Sequence, residues 1–213
     1  MTVRPAGLAG ARGHAREKTR DAVLEAALRL FSEHGYLGVR VEDIAREAGV
    51  SRATFYKHFA EREEILAMLL TRLLGADDTA GAGASDEAAG DLGARIQAQG
   101  RAIVDRMLEQ EQLARFVYSL PVRHEALLGS QQVPRSPAFG RVDRLLDDAE
   151  AAGELRDGVA PAVVRTQVHA AIETALREWA TGQVPDPHER LTQHLDVVLR
   201  GAAAPARKAS RRR

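Results

Sequence analysis

Between Ser51 and His58, six side chains are hydrogen-bonding or cationic: Ser51, Arg52, Thr54, Tyr56, Lys57 and His58. Between them they can reach phosphate oxygens and base edges. Phe55 and Phe59 recur at helical spacing and supply an inward side. A helix of about nine residues is roughly 13 Å long, which suits a B-DNA major groove about 12 Å wide. The segment is therefore expected to be a recognition helix. An ordinary helical hairpin with a solvated polar face would give the same local pattern, so the neighbouring residues must decide.

Other chemistry is sparse. The chain has no cysteine, which excludes disulfides, thiolate zinc sites and cysteine nucleophiles and fits a reducing cytoplasm. Among seven histidines, His188 and His194 face different sides of a helix, and His14 and His34 belong to the N-terminal part. His169 and Glu173, at i and i+4, could point together into a cavity and orient a ligand, or could form a plain surface pair. No Gly-rich phosphate loop, metal-spaced histidine cluster or nucleophile elbow is present. No enzyme activity, cofactor or metal is expected.

The elements that must hold the polar face are well signalled. Val41, Ile44, Ala45 and Ala48 give the preceding helix one buried side, and Gly49 supplies the positive φ that ends it. Ser51 stands as N-cap of the next helix. Two helices so tightly joined form a helix-turn-helix. Upstream, Thr19 to His34 reads as a helix with Val23, Ala27, Leu30 and Phe31 inward, closed by Gly35, and Tyr36 should pack back onto it. Downstream, Glu61 to Leu74 is a helix with a broad apolar face of Ile65, Leu66, Leu69, Leu70 and Leu73.

Three runs then make a resemblance specific. They are Val23-Leu24-x-Ala26-Ala27-x-x-Leu30-Phe31-x-x-x-Gly35-Tyr36, Val41-x-Asp43-Ile44-Ala45-x-x-Ala48-Gly49-Val50-Ser51, and Thr54-Phe55-Tyr56-x-His58-Phe59-x-x-Arg62-Glu63-x-x-Leu66. At this spacing the first third of the chain resembles the DNA-binding domain of the tetracycline-repressor (TetR) family. The resemblance implies that Ser51, Tyr56 and His58 contact phosphates, that Arg52, Ala53, Thr54 and Lys57 face bases or nearby backbone, and that Arg62 anchors a phosphate. Val39 and Arg40 replace the family's usual Thr-Thr or Thr-Ser, removing a capping hydroxyl worth roughly 1 kcal/mol; Arg40 could regain a phosphate contact by charge. The helix beginning near Glu61 would join the DNA-reading head to an effector domain.

The 213 residues are 45% apolar and 28% charged, an ordinary globular composition long enough for one or two domains. Formal charge is zero, so a nucleic-acid reading must rest on distribution. Ten Arg or Lys stand against seven acids up to Phe59, five acids and no base lie in 75 to 94, and six bases and no acid lie in 200 to 213. No apolar run approaches the ~18 residues of a membrane span, and no apolar segment follows the N-terminal arginines as in a secretory signal; a cytoplasmic location is expected.

Beyond Leu74, Gly75 to Ala84 reads as an acidic connector. Ser85-Asp86-Glu87 offers a cap for a helix running to about Gln110. A short helix is expected over Gln112 to Leu120, a loop over 121 to 135, and a helix from Ser136-Pro137 to Gly153. Pro161 to Thr181 is the longest clean helix. Asp186-Pro187-His188-Glu189 then starts another with a capping box. Ile103, Met107, Phe116, Tyr118, Phe139, His169, Ile172, Glu173 and Trp179 are the candidates to line a ligand pocket, or they are plain core packing. The last two helices suit a homodimeric four-helix bundle, or complete the core of a monomer.

The expected fold is all-α: an N-terminal three-helix helix-turn-helix DNA-binding domain over 19–62, then a helical ligand-binding and dimerisation domain over 63–200. A flexible basic arm (1–18) and a basic disordered tail (201–213) flank them. The expected function is a homodimeric transcriptional regulator, most often a repressor, that reads a palindromic double-stranded DNA operator and responds to a small apolar effector. The alternative is a sequence-tolerant DNA-binding architectural protein without an effector.

Overall fold

The computed structural model describes residues 7–74, 90–120 and 137–202. Among them are α1 (Gly7–His34), a 3-10 turn (Tyr36–Gly38), α2 (Val41–Glu47), α3 (Arg52–His58) and α4 (Arg62–Leu74). There follow α5 (Leu92–Leu108), α6 (Glu111–Ser119), α7 (Pro137–Ala151), α8 (Pro161–Ala180) and α9 (Pro187–Ala202). The all-helical expectation holds. The connector at 75 to 84, the cap at Ser85, the loop at 121 to 135, the cap at Ser136 and the tail beyond Ala202 fall outside the described residues.

The first compact unit holds α1 to α4 through Arg72. Val23, Leu24, Ala26, Ala27 and Phe31 of α1 are buried, while Leu30, expected inward, is half-buried and Leu24 takes its place. The arm expected over residues 1–18 is instead helical from Gly7. Ala9, Ala11, Ala15, Arg16, Glu17 and Lys18 are strong helix formers, and apolar periodicity is missing because residues 13–18 are exposed and bury nothing. Thr19, read as the start of the helix, lies inside it, its hydroxyl donating to the Ala15 carbonyl at 2.9 Å. The expected boundary at 62 is also passed. Ile65, Leu66, Leu69 and Leu70 of α4 are buried, and Arg72 pairs with Asp21 of α1 at 3.5 Å.

The second unit runs from Leu73 through α5 and α6 to Ser119 and includes α7 to α9. Its α5 begins at Leu92, capped by Asp91, whose Oδ1 accepts from Ala94 N at 2.9 Å; the cap lies six residues beyond the expected Ser85. Helix α8 packs against α6, α7 and α9. Arg115 of α6 lies over the Trp179 ring at 4.1 Å and donates to its carbonyl at 3.0 Å. Glu178 of α8 holds Arg190 at 2.8 Å and His194 at 3.3 Å, both on α9. The Asp186 cap forms as expected, accepting from His188 N at 2.8 Å, but Glu189 accepts from Gln193 at 3.2 Å rather than turning back onto the cap.

Gly100 lets α5 and α9 approach closely. A Cβ there would stand 3.2 Å from side-chain carbons of both Leu191 and Leu195, which are buried. Gly100→Val is therefore expected to destabilise the chain by about 1–3 kcal/mol through overpacking, measured as a lower midpoint in urea. A gain in stability would mean that α9 can slide away freely.

Candidate nucleic-acid interface

The junction of α2 and α3 is closed by backbone bonds. After the Ala48 C-cap, Gly49 takes φ 68°, Gly49 N donates to Arg46 O at 3.1 Å and Val50 N to Ala45 O at 2.9 Å. This pair of bonds is a Schellman motif, and the left-handed residue it needs is cheapest as glycine. One residue later Ser51 caps α3. Its Oγ accepts from Thr54 N at 3.0 Å, and its carbonyl accepts from Phe55 N at 2.9 Å. Phe55 and Phe59 are fully buried with ring centroids 5.6 Å apart. The helix cannot roll without exposing both.

Helix α3 is seven residues long, shorter than the nine expected, because Phe59 is already extended at φ −138°. Arg52, Ala53, Tyr56 and Lys57 are exposed, and Thr54 and His58 partly so. Ala53, Thr54, Tyr56 and Lys57 line an open depression of about 450 Å³. Of the expected outward residues, these four are brought together. Arg40 is exposed at the start of α2 with no side-chain cap bond, as the missing hydroxyl implied.

Three neighbours missing from the expected set, Glu42, Arg16 and Arg20, shape the charge on this face. Glu42 of α2 pairs with Arg52 at 3.2 Å, and Arg52 also lies 5.6 Å from the Tyr56 ring centroid. Tyr56 and Glu42 raise the guanidinium pKa further, so Arg52 is presented charged and held from two sides. Burial, then the charges of Arg16, Arg20 and Lys57, hold His58 below the ordinary imidazole value. Arg16 and Arg20 reach His58 because α1 is helical there, one turn apart.

Arg62 makes contacts that the sequence does not signal. Its guanidinium donates to the carbonyls of Tyr36 at 3.1 Å and Val39 at 3.0 Å and stacks on the Tyr36 ring at 4.3 Å. Both bonds come from Nη1, and a guanidinium so engaged ties down the segment before α2. Tyr36 completes the clamp, its hydroxyl donating to Glu63 at 3.1 Å; burial, partly offset by Arg62, pushes its pKa up to about 12, so it keeps that proton.

The expected pocket residues lie in the second unit. Ile103, Met107, Phe116, Tyr118, Ile172 and Trp179 are buried, and Phe139 is half-buried. The His169–Glu173 pair does not form as a joint handle. His169 Nε2 meets Asp143 of α7 at 3.0 Å with its ring 4.9 Å from Phe139, whereas Glu173 is exposed. A cross-helix carboxylate, invisible to i, i+4 spacing, takes the imidazole. Among the described residues, no three His, Asp or Glu side chains converge as a metal site, and no helix is long and apolar enough to cross a membrane.

If Arg62 is a clamp, Arg62→Met should lower stability by about 2 kcal/mol, the scale of hydrogen bonds made by a charged group, read by circular dichroism in urea. Arg62→Lys should recover only part, since an ammonium cannot span two carbonyls and stack at once. Unchanged stability with weakened duplex binding would restore the phosphate role.

Comparison with known proteins agrees with this geometry. Residues 23–69 match the model of the bacterial regulatory proteins of the tetR family. The transcriptional regulator BetI of Agrobacterium fabrum is 44% identical over 55 residues, 26% of this chain and 27% of that protein. Such curated relatives are spanned over only 15–29% of their own length. Over the longer span, NalD of Pseudomonas aeruginosa, the secondary repressor of the MexAB-OprM multidrug efflux pump, superposes with a TM-score of 0.66 at 23% identity, covering 88% of this chain and 98% of that one. FadR of Bacillus subtilis, solved in complex with stearoyl-CoA, superposes with a TM-score of 0.65 at 18% identity, covering 84% and 97%. At these identities the likeness is one of fold. The chain therefore carries the N-terminal helix-turn-helix domain of the tetR family of bacterial regulatory proteins, on a helical body that shares the fold of its regulators.

Proposed function

We propose that this protein is a transcriptional repressor that binds a palindromic DNA operator as a homodimer and releases it when a small apolar effector binds. The observation that carries the reading is the rigidly seated polar face of α3. Arg52, Ala53, Thr54 and Lys57 face bases or nearby backbone, and Ser51, Tyr56 and His58 contact phosphates, with Arg40 at the edge. The protein acts by binding, without covalent chemistry.

Dimerisation is supported by apolar side chains left exposed on α8 and α9, Val163 at 54% and Val197 at 76%. A second copy covering them sets two α3 helices about one DNA turn apart, ~34–36 Å or a little more, as a palindrome requires. The stearoyl-CoA held by FadR and the apolar interior of the second unit support an effector. Such a ligand lowers operator affinity only by binding better to the state whose heads are wrongly spaced.

Operator binding by Lys57→Ala and Thr54→Ala separates the specific reader from a sequence-tolerant binder. A lost base-edge contact is expected to cost ~1–3 kcal/mol at particular operator positions and to change base preference there; uniform weakening across all sequences would favour the architectural reading. The pH dependence follows from His58. Held low in the free protein, it is neutral at pH 7, and a phosphate placed beside it favours the imidazolium. Binding then takes up a proton, so affinity should rise as pH falls from 7.5 towards 5.5, and His58→Gln should flatten the slope in a gel-shift titration. An equal slope in both proteins would remove His58 from the interface.

A further inference from the structure

The chain has no cysteine and three methionines, so its oxidisable sulfur is all thioether. Among the described residues, Met107 is buried at 1% exposure, whereas Met68 of α4 is partly exposed. Its neighbours Ala67, Leu69 and Leu70 are buried, which puts Met68 at the edge of the apolar face of α4, within reach of small solutes.

The Met68 sulfur already has a partner. The Arg20 guanidinium of α1 donates to it from Nε at 3.2 Å and from Nη2 at 2.8 Å, and both residues belong to the first unit. A thioether is a weak acceptor for two N–H groups of a cation. The same guanidinium lies over the Phe59 ring at 5.3 Å and 3.5 Å from Glu64, and its charge acts on His58. A half-exposed sulfur, a cation and the end of α3 thus form one cluster.

A peroxide reaching this sulfur meets a cation beside it. The sulfur lone pair attacks one peroxide oxygen, an S–O bond forms and the O–O bond breaks. The other oxygen leaves with the electron pair and takes up the proton of the transferred oxygen, giving water and a neutral sulfoxide; sulfur is oxidised by two electrons and the peroxide reduced. Three guanidinium N–H groups beyond the two on sulfur remain to stabilise the negative charge on the departing oxygen. The sulfoxide is polar where the thioether was apolar, and its oxygen replaces sulfur as the acceptor for Arg20. Gaps of 2.8 and 3.2 Å between sulfur and the two nitrogens hold no oxygen atom, so the guanidinium and the side chain of Met68 must part.

We propose that Met68 is an oxidation site for peroxide, and that its sulfoxide draws Arg20 from its seat over Phe59 and so weakens duplex binding by α3. The consequence for DNA rests on the proposed function, whereas the modification itself does not.

The test titrates the full chain with hydrogen peroxide, read by peptide mass spectrometry and by gel shift on a duplex that the protein enriches from its own genome. Met68 should gain one oxygen about tenfold faster than the buried Met107, since susceptibility follows exposure. Duplex affinity should fall about tenfold in step, the scale of one hydrogen bond made by a charged group. Methionine sulfoxide reductases, one for each epimer, should restore it. Met68→Leu, a volume-conserving change, should bind as the parent does and keep its affinity through the same treatment; reductase rescue of the parent stands alone should that variant fail to fold. Met68 oxidising no faster than Met107, a sulfoxide at Met68 with unchanged affinity, or a loss that Met68→Leu shares or the reductases do not reverse overturns the inference. Protein that binds no duplex before treatment sinks the proposed function instead, and the relative oxidation of Met68 and Met107 then decides the modification by itself.

Discussion

The four residues from Ala48 to Ser51 are the constraint on which the polar face of α3 depends. The Schellman bonds to Arg46 and Ala45 end α2, and the Ser51 hydroxyl starts α3 before the chain has had room to wander. A left-handed glycine and an N-cap serine each contribute about 1 kcal/mol relative to poorer choices, small against the burial of Phe55 and Phe59. Their effect is directional. They fix which way α3 points once its aromatic side is buried, and so turn an amphipathic segment into a presented surface.

The rest of the first unit serves to keep that surface in place. Arg62 and Tyr36 bind the segment between α1 and α2 from beneath, so that α2 starts from a defined position even though Arg40 provides no capping oxygen. Arg20 performs a similar task at the other end. Its guanidinium lies over the Phe59 ring at 5.3 Å and against Glu64 at 3.5 Å, joining α1, the end of α3 and α4. The same charge depresses the pKa of His58. Packing and electrostatics are therefore not separable here, since the cations that brace α3 also set the field at its surface.

Much of this was legible in the residues, and the exceptions share a cause. Gly49, Ser51, Asp186 and Pro187 are local signals whose partners lie within a turn, and each marks the boundary it should. The clamp made by Arg62 is hidden in the sequence because its acceptors are main-chain carbonyls 23 and 26 residues away, which no spacing rule reveals. His169 has Glu173 at i+4 on its own helix, either as a joint handle or as a surface pair, whereas Asp143 of a neighbouring helix takes the imidazole. The N-terminal part of α1 is hard to read for the opposite reason: residues 13–18 are helical while exposed, with no buried side there to imprint a period.

In the proposed repressor the outward side of α3 meets DNA in a fixed register set by a second copy. Hydroxyl-radical footprinting of the full chain on a duplex enriched from its own genome tests this most directly. Two protected segments on one face of the duplex, separated by about one helical turn of 10–10.5 base pairs or slightly more, are the predicted result. Unbroken protection without register, or no protection even at low ionic strength, would contradict it.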